Sequence, residues 1–416
     1  MPVSIRLAPQ RVDLGDLSPA EVALQLRHLP GLVFFDSAQE SEARSRLSIV
    51  AAAPSETITG RIDRDLPRLQ AALRARRSVA AQPDDGLPHG FAAGWVEYDG
   101  AFRFGFYDRA LIFRHSQGIW EELGGLAAEL RPAAIEPELG DAQRPRFSAE
   151  MSAEDYRAMV ARAQEYIAAG DIYQVNLAHR FSAEWTGDPL ALYLALRSRS
   201  PAPYAAYLET EGRTVLSASP ESFLKISGRH IRTRPIKGTR PRRDDPLADE
   251  KSAYDLLTSP KEVAELIMIT DLERSDLGQI CETGSIHATE LLALERFEHV
   301  FHLVSTVEGR LRPEIDHAAA LAACFPGGSI TGAPKKRARE IIAELEPCAR
   351  GLYTGAVGWL GFNGESQFNI AIRTAIVEGE RIHFHVGAGI VADSIPEKEW
   401  QETLDKAAGI LLAARA

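Results

Sequence analysis

Arg234-Pro235-Ile236-Lys237-Gly238-Thr239-Arg240-Pro241-Arg242 is the stretch on which the interpretation of the whole chain depends. One lysine, Lys237, lies between β-forming residues and a Gly-Thr turn, and a proline stiffens each end. The pattern predicts a strand end that presents one amine and then turns sharply. Two interpretations remain open from these residues. Lys237 is either a surface lysine in a basic loop, or a nucleophile whose amine becomes reactive once its ammonium is desolvated.

Size and charge exclude several classes of protein. The chain of 416 residues is long enough for one large domain or two subdomains, and its net charge of -11 argues against a nucleic-acid or anionic-membrane surface. No apolar run reaches membrane-spanning length, and the N-terminus lacks the apolar segment of a signal peptide. The three cysteines are too few and too scattered for a disulfide framework or a zinc site. We therefore expect a cytoplasmic protein with reduced thiols that binds neither nucleic acid nor membranes.

The composition divides the chain into three parts. Residues 1–130 mix short strand-like runs with a basic amphipathic helix at 66–77, and carry no catalytic pattern. Residues 131–147 are rich in Pro, Glu and Ala without a period, which predicts a surface connection. Residues 148–416 begin with a helix that Ser152 can cap and contain every motif discussed below.

Two helix starts are each followed by a pair of glutamates three residues apart. Ser259-Pro260-Lys261-Glu262 predicts a capping box, and Glu265 follows one turn after Glu262. Ser394-Ile395-Pro396-Glu397 predicts a second capping box. Glu399 and Glu402 follow it.

Both pairs have an ordinary and a functional interpretation. They are either solvated helix faces, on which a Glu402–Lys406 pair contributes a few tenths of a kcal/mol, or oxygen ligands of one Mg²⁺ held between two converging helices.

The segment Phe325-Pro326-Gly327-Gly328-Ser329-Ile330-Thr331-Gly332-Ala333-Pro334-Lys335 predicts a Gly-rich loop that enters a helix running to about Glu346. A helix N-terminus offers free N–H groups and a partial positive charge, which suit a carboxylate or a phosphate. A nucleotide-binding P-loop needs Lys directly after its last Gly. Ala333-Pro334 intervene here, so we reject that interpretation.

A hairpin is predicted near the C-terminus. Its first strand, residues 368–374, places Arg373 on the face opposite Phe368 and Ile370. Arg373 is then either an exposed strand residue or a guanidinium that grips a carboxylate with two hydrogen bonds. The predicted partner strand, residues 382–390, ends in a Gly-Ala-Gly sequence, where the backbone can approach a ligand.

Together these motifs resemble the chorismate-utilising enzymes, and the similarity is continuous from about Ser152 to the C-terminus. Residues 235–242 are most similar to aminodeoxychorismate synthase component I, in which lysine at the position of Lys237 is a covalent nucleophile. Anthranilate synthase component I usually has alanine there. The resemblance implies an α/β (α+β) fold in which two subdomains of large antiparallel β-sheets pack face to face, with helices outside and the active site between the sheets.

The resemblance also implies roles for individual residues. Lys237 matches the nucleophile, Glu221 the general acid and His302 an active-site histidine, although a core histidine remains the alternative for His302. Glu265 and Glu402 match the principal Mg²⁺ ligands, and Glu262 and Glu399 the outer pair. The residues that match the chorismate pocket are Gly238, Thr239, Ser329, Tyr353, Arg373, Gly387, Ala388, Gly389 and Lys406.

Gln174 indicates which molecule, water or ammonia, attacks chorismate. Isochorismate and salicylate synthases have a lysine at this position to activate water, and glutamine cannot act as a base, so ammonia is the nucleophile compatible with this chain. The implied activity is amination of chorismate to 4-amino-4-deoxychorismate for p-aminobenzoate and folate synthesis. A separate glutamine amidotransferase subunit would supply the ammonia, because the chain has no glutaminase signature.

Other functions remain as alternatives. Anthranilate synthase component I is the first, and Lys237 argues against it. A non-catalytic relative that binds chorismate or tryptophan is the second, and the intact set of Glu221, Lys237, Glu265 and Glu402 argues against it. A Mg-nucleotide phosphotransferase is the third, and would require ATP to bind at the 327–332 loop.

A second set of residues aligns with the tryptophan pocket of the family, with core packing and turns as the alternative. These residues are Ser37, Arg44, Ser45, Arg46, Leu47, Pro203, Tyr204 and Ala205. They do not decide whether tryptophan binds.

Overall fold

The computed structural model describes residues 8–37, 47–77, 86–132, 139–140, 143–296 and 300–415. The α-helices in these ranges are α1 Pro19–Leu26, α2 Ile62–Ala75, α3 Ala153–Ala168, α4 Pro189–Arg199, α5 Pro246–Leu257, α6 Pro260–Gly278, α7 His317–Cys324, α8 Lys335–Leu345 and α9 Pro396–Ala413. No helix in the described ranges has the length and hydropathy needed to cross a membrane.

The strands that precede residue 200 are β1 Gln10–Val12, β2 Val33–Asp36, β3 Leu47–Ala51, β4 Glu56–Arg61, β5 Phe91–Val96, β6 Ala101–Tyr107, β7 Ala110–Arg114, β8 Ile119–Leu123, β9 Ser148–Ala149 and β10 Gln174–Glu184. Those that follow are β11 Tyr204–Thr210, β12 Arg213–Ser219, β13 Ser222–Ser227, β14 His230–Arg234, β15 Ile236–Pro241, β16 His287–Arg296, β17 Val300–Arg310, β18 Gly332–Ala333, β19 Ala356–Gly361, β20 Glu365–Ile370, β21 Thr374–Glu378 and β22 Arg381–Ile390.

Two large sheets collect these strands. The first has 12 strands in the order β1-β8-β7-β3-β2-β11-β12-β21-β22-β10-β18, with β9 beside β10. The second has ten in the order β15-β17-β14-β13-β20-β19-β5-β6-β4, with β16 beside β17. Strands from before residue 131 pair with strands from after residue 147 in both sheets, as in β2 with β11 and β5 with β19. Residues 131–147 therefore do not separate one sheet from the other. Their role as a connection between subdomains stays a prediction.

The apolar side chains define four layers. Val33, Trp95, Val215 and Trp359 belong to a buried cluster to which both sheets contribute, so the sheets pack face to face. α1, α4 and α9 pack against the outer face of the first sheet, and α2 and α7 against the outer face of the second. This arrangement confirms the predicted fold of two antiparallel sheets with helices outside.

The two glutamate-bearing helices begin differently from the prediction. α6 follows Ser259, whose Oγ accepts the Glu262 N–H at 3.5 Å, but the Glu262 carboxylate lies 3.4 Å from Arg240. α9 begins after Ile395 without a side-chain cap, and the Ser394 hydroxyl donates to Glu399 at 2.7 Å. The predicted capping box at 394–397 is wrong, because Ile395 occupies the N-cap position and the Ser394 Oγ accepts the Val391 N–H at 3.1 Å instead of a helix N–H.

The predicted continuous strand at 368–374 is also wrong. β20 ends at Ile370 in the second sheet, and the chain crosses to β21 of the first sheet through residues 371–373. Arg373 adopts a φ of 52° at this crossover, so it does not alternate with its neighbours as a strand residue does. In this part of the chain, pairing with β22 begins only at Ala375, in β21. Phe368, Ile370 and Ile372 all pack against the same apolar cluster of the second sheet, so the period-two pattern continues past the end of β20.

The Gly-rich segment does not enter α8 directly. Gly328–Ile330 forms a short 3-10 turn, Gly332–Ala333 pairs with β10 as β18, and α8 starts only after Pro334. α8 ends at Leu345, close to the predicted Glu346, and the anion site at its N-terminus stays a prediction.

Candidate active site

A cavity of about 710 Å³ lies where β15, α6, β22 and α9 meet. Most of the residues that the sequence singled out line it, although they are far apart along the chain. They are Glu221, Lys237, Gly238, Thr239, Glu262, Glu265, His302, Ser329, Tyr353, Arg373, Gly387, Gly389, Glu402 and Lys406.

β15 presents Lys237 to the cavity through a local irregularity. The register with β17 shifts between Lys237 and Thr239, and Gly238 has a φ of 71°. A Cβ at Gly238 would lie 2.6 Å from the Leu256 side chain and 3.0 Å from Glu262, so only glycine fits this bulge without displacing them. Both Lys237 and Thr239 consequently line the cavity, and Thr239 Oγ1 lies 2.9 Å from His302 Nδ1.

Glu265 is buried between two lysines. Its Oε2 lies 3.8 Å from Lys237 Nζ and its Oε1 lies 3.9 Å from Lys261 Nζ. Gln174 donates an amide hydrogen to Glu265 at 3.5 Å. Burial raises the pKa of Glu265 and outweighs the opposing effect of the lysine charges. This carboxylate is therefore costly to keep ionised without a nearby cation.

The glutamates of α9 face the same place. Glu399 accepts from Ser394 and lies 3.3 Å from Lys261 Nζ, so Lys261 bridges the two helices. Glu402 pairs with Lys406 at 2.7 Å. Burial raises the pKa of Glu402, but the charges of Lys406 and Lys261 lower it by more, so the net shift is downward.

The four carboxylates fit Mg²⁺ chemically. Glu265 Oε1 and Glu399 Oε2 are buried and have no hydrogen-bond partner among the described residues, which suits oxygen ligands of a hard cation. No group of three or more His, Cys, Asp or Glu side chains in the described ranges is gathered closely enough to form a metal site by itself. Mg²⁺ does not require one, because it usually keeps several waters and takes one or two carboxylates together with an anionic substrate group.

Glu221 is a further buried carboxyl that lines the cavity. It is 5% exposed, and Ser329 Oγ donates to its Oε1 at 2.6 Å. Burial raises the pKa of Glu221 in spite of that hydrogen bond and of the nearby Lys237 charge. A carboxyl with a raised pKa can hold a proton near neutral pH and release it to a leaving group.

Arg373 supplies a cation to the same cavity, and no ion pair of its side chain is seen within the described residues. Burial lowers the pKa of Arg373, although the guanidinium stays charged at neutral pH. Beside it, Tyr353 stacks on His385 at a centroid distance of 5.3 Å, and burial raises the pKa of Tyr353 to about 12. A neutral phenol and a planar cation next to each other suit a substrate that carries carboxylates and a ring hydroxyl.

Three predicted site residues do not line the cavity. Ala388 lies between Gly387 and Gly389 on β22, so its methyl group points to the opposite face, where it packs in the core under α3 and α8. Gln174 and Glu399 are one contact away from the cavity, through Glu265 and Lys261.

The residues that resemble a tryptophan pocket lie in a second cavity, of about 510 Å³, between the two sheets. Ser37, Leu47, Pro203, Tyr204 and Ala205 line it. Arg44, Ser45 and Arg46 lie outside the described residues.

The sequence did not single out Asn176, Lys261 and His385, which also line the larger cavity. Two had a recognisable signal. Lys261 precedes Glu265 by four residues, which places both on one helix face. His385 precedes Gly387 by two residues on a strand, which places both on one sheet face. Asn176 had no signal apart from its place two residues after Gln174.

Comparison with known proteins agrees with this geometry. A family model described as chorismate binding enzyme matches residues 32–412, and the chain belongs to this family. The chain is 37% identical over 446 residues to aminodeoxychorismate synthase component 1 of Escherichia coli, an alignment covering 95% of this chain and 98% of that protein. It is 48% identical over 270 residues to anthranilate synthase component 1 of Thermus thermophilus, covering 65% of this chain and 58% of that protein.

Solved structures show the same fold. Anthranilate synthase component I from Streptococcus pneumoniae superposes with a TM-score of 0.78 at 32% identity, covering 89% of this chain and 93% of that one. The chain thus spans less than two thirds of the Thermus relative but nearly all of the E. coli one. Because relatives of both names match, the family is established and the particular reaction is not.

Proposed function

We propose that the chain is component I of an aminodeoxychorismate synthase, which converts chorismate and ammonia to 4-amino-4-deoxychorismate. The observation that carries this proposal is the position of Lys237, whose Nζ points into the cavity beside Glu265 while Glu221 lines the same cavity. A nucleophilic amine and a buried acid in one cavity suit a reaction that displaces a hydroxyl group in two steps.

The first step is attack by Lys237. Its neutral amine forms a bond to C2 of chorismate, the ring double bonds shift, and the C4–oxygen bond breaks. Glu221 donates its proton to the departing hydroxyl, which leaves as water. Lys237 must give up its ion pair with Glu265 before it attacks, because the lone pair of an ammonium is occupied.

The second step is attack by ammonia at C4. The double bonds shift back, the C2–nitrogen bond breaks, and the Lys237 amine leaves. The Lys237 amine leaves neutral with both of its hydrogens, and the proton lost by the new C4 ammonium restores Glu221, so the overall change is chorismate plus ammonia to 4-amino-4-deoxychorismate plus water. Water is a poor competitor for this attack, since Gln174 provides no base to deprotonate it.

Other residues hold the substrate. Arg373 is placed to bind a carboxylate with two hydrogen bonds, and the Gly387 and Gly389 positions leave room for the ring. Glu265 and Glu402, backed by Glu262 and Glu399, would hold Mg²⁺. When bound, the metal would bind a substrate carboxylate and neutralise its charge.

The surroundings of the reaction are part of the proposal. A separate glutamine amidotransferase subunit would deliver the ammonia, and the product would feed p-aminobenzoate and folate synthesis in the cytoplasm. Anthranilate synthase component I is the second candidate, supported by the relatives that carry this name. Direct attack of ammonia at C2 with loss of pyruvate would define that reaction.

The test is product identification. The purified chain is incubated with chorismate, excess ammonium and Mg²⁺, and the products are measured by mass spectrometry and fluorescence. We expect 4-amino-4-deoxychorismate without pyruvate. Fluorescent anthranilate with an equal amount of pyruvate would assign the chain to the second candidate, and saturable chorismate binding without any turnover would make it a binding protein.

A further inference from the structure

A buried carboxyl that the proposed reaction does not use lies behind the Ser329 loop. Glu273, on α6, is 3% exposed. It belongs to the buried stripe of that helix, which also contains Glu265, Ile269 and Thr270. A carboxylate costs several kcal/mol to bury without partners, so its contacts indicate what it stabilises.

The main contact of Glu273 is to the loop backbone. The Gly328 N–H donates to Glu273 Oε1 at 3.0 Å, and the Thr233 hydroxyl donates to Oε2 at 3.4 Å. The loop also packs closely on α6, because a Cβ at Gly328 would lie 2.7 Å from the Leu272 side chain. The backbone of the loop therefore has little freedom to move relative to the helix.

The same loop reaches the acid on its other side. Ser329, the residue after Gly328, donates its hydroxyl to Glu221 Oε1 at 2.6 Å. A Cβ at Gly327 would lie 2.9 Å from Ile370 and 3.4 Å from Phe223, so the loop is held between α6 and the second sheet. The amide hydrogen bond to Glu273, together with this packing, holds the residue that orients Glu221.

We propose that Glu273 is a positioning residue for Glu221, which it holds in place through the Gly328 amide and the Ser329 hydroxyl. The inference rests on the proposed function, because it takes Glu221 as the acid of that reaction. Glu273 does not line the cavity, so it acts on the reaction through Glu221 and not by contact with the substrate.

Charge adds a second connection between the two carboxyls. Burial, followed by the charge of Asp276, raises the pKa of Glu273 to about 7, while Lys335 and the Gly328 N–H act in the opposite direction. The Glu221 charge raises it further, and the Cys324 thiol of α7 lies within the same group of interacting residues. Each carboxyl therefore resists ionisation when the other is charged.

Two substitutions separate the hydrogen bond from the charge. Glu273→Gln keeps a carbonyl oxygen for the Gly328 N–H and removes the charge. Glu273→Leu has a similar volume and removes both. Asp271→Asn is the control, because Asp271 lies on the exposed face of the same helix, with a side chain that is 77% exposed. For each protein, kcat and KM for chorismate are measured across pH, and folding is checked by circular dichroism.

We expect Glu273→Leu to lower kcat about tenfold with a smaller change in KM, since losing the orientation of one hydrogen-bonded group affects the transition state more than substrate binding. Glu273→Gln should recover most of kcat but shift the alkaline limb of kcat/KM to lower pH, because Glu221 then ionises without a neighbouring negative charge. Asp271→Asn should behave as wild type.

Three outcomes would overturn the inference. One is a folded Glu273→Leu variant with wild-type kcat. Another is a change confined to KM, which would mean that the loop serves substrate binding. If Glu273→Leu does not fold, Glu273→Ala, which also removes both the hydrogen bond and the charge, replaces it, and a wild-type kcat in that variant decides against the inference. A wild-type chain without turnover would reject the proposed function as well, whereas an active wild type with unaffected variants rejects only the role of Glu273.

Discussion

Lys237 Nζ lies 3.8 Å from Glu265 Oε2, so the proposed nucleophile is paired with a carboxylate that is also a proposed metal ligand. The pair joins β15 to α6, and the Gly238 bulge is what lets β15 aim this lysine at the helix. A cation that binds Glu265 would compete with Lys237 for the same oxygen. Metal binding and release of the amine are therefore expected to be linked in this site.

Lys237→Ala should remove the 4-amino product, lowering its rate of formation by roughly a thousandfold or more, because the first bond to C2 can no longer form. The measurement is the product assay by mass spectrometry. Lys251→Ala, on the exposed surface of α5, is the control. A Lys237→Ala variant that still makes 4-amino-4-deoxychorismate at the wild-type rate would show that ammonia attacks without a covalent intermediate.

Glu221→Gln should lower kcat by roughly 10² to 10⁴ while the cavity keeps its shape, because the amide still accepts the Ser329 hydroxyl but has no proton to donate. Burial raises the pKa of Glu221, so the acid stays protonated to a higher pH than an exposed glutamate. Wild-type kcat/KM should fall as pH rises through that pKa, and the residual activity of the variant should lack this limb. An identical alkaline limb in both proteins would assign it to another group.

Mg²⁺ should raise the unfolding temperature of the wild-type chain. Binding at 100 times the Kd stabilises a protein by about 2.7 kcal/mol. Glu265→Gln and Glu402→Gln should each reduce this stabilisation, since Glu265 and Glu402 belong to the two glutamate pairs that face each other across Lys261. Glu397→Gln is the matched control, because Glu397 lies in the first turn of the same α9 and pairs with Arg157 outside the site. A wild type whose unfolding temperature does not respond to Mg²⁺ would contradict the metal assignment.

Short-range patterns in the sequence predicted the parts of the site that depend on local structure. The β-forming residues around Lys237 predicted a strand that presents its amine, and β15 does so. The predicted strand end with a sharp turn is wrong, because β15 continues to Pro241 through a bulge at Gly238. The spacing of Glu262 and Glu265 predicted one helix face, and both line the cavity. These features follow from backbone geometry within a few residues, so no tertiary contact had to be known.

The errors arose where the surrounding structure, and not the local pattern, decides the partner of a group. Ser394 was predicted to cap α9, but its oxygen accepts the Val391 N–H and Ile395 occupies the N-cap position. Arg373 was predicted on a strand, but the chain crosses between sheets there, and the Arg373 carbonyl accepts the Ala218 N–H of β12. The roles of Lys261 and Glu273 depend on α9 and on the Gly328 loop, and no pattern within α6 specifies either partner.

Arg373→Lys tests the predicted carboxylate grip. The ammonium keeps the charge but cannot make two parallel hydrogen bonds, so KM for chorismate should rise about ten- to a hundredfold with a smaller effect on kcat. Steady-state kinetics at saturating ammonium provide the measurement. Arg381→Lys is the control, because Arg381 pairs with Glu150 at the opposite end of β22. Equal effects of the two substitutions would indicate general weakening of the sheet.

Glu273 should make the stability of the folded chain depend on pH. Its pKa is about 7 in the folded protein, against 4.5 for an ordinary glutamate. Between these values the folded state binds more protons than the unfolded state, so the free energy of unfolding falls as pH rises from about 4.5 to 7, by up to about 3 kcal/mol. Glu273→Gln should remove this part of the pH dependence.

The measurement is urea unfolding at pH 5 and pH 8 for wild type, Glu273→Gln and Asp271→Asn. The stability of Glu273→Gln relative to wild type should be higher at pH 8 than at pH 5. At pH 8 the wild-type protein bears the cost of an ionised buried carboxyl, and the glutamine variant does not. Asp271→Asn should follow the wild-type pH dependence, since its side chain is exposed. If wild type and Glu273→Gln lose the same stability between the two pH values, Glu273 does not titrate between pH 5 and pH 8. That outcome would contradict a pKa of about 7 for this carboxyl.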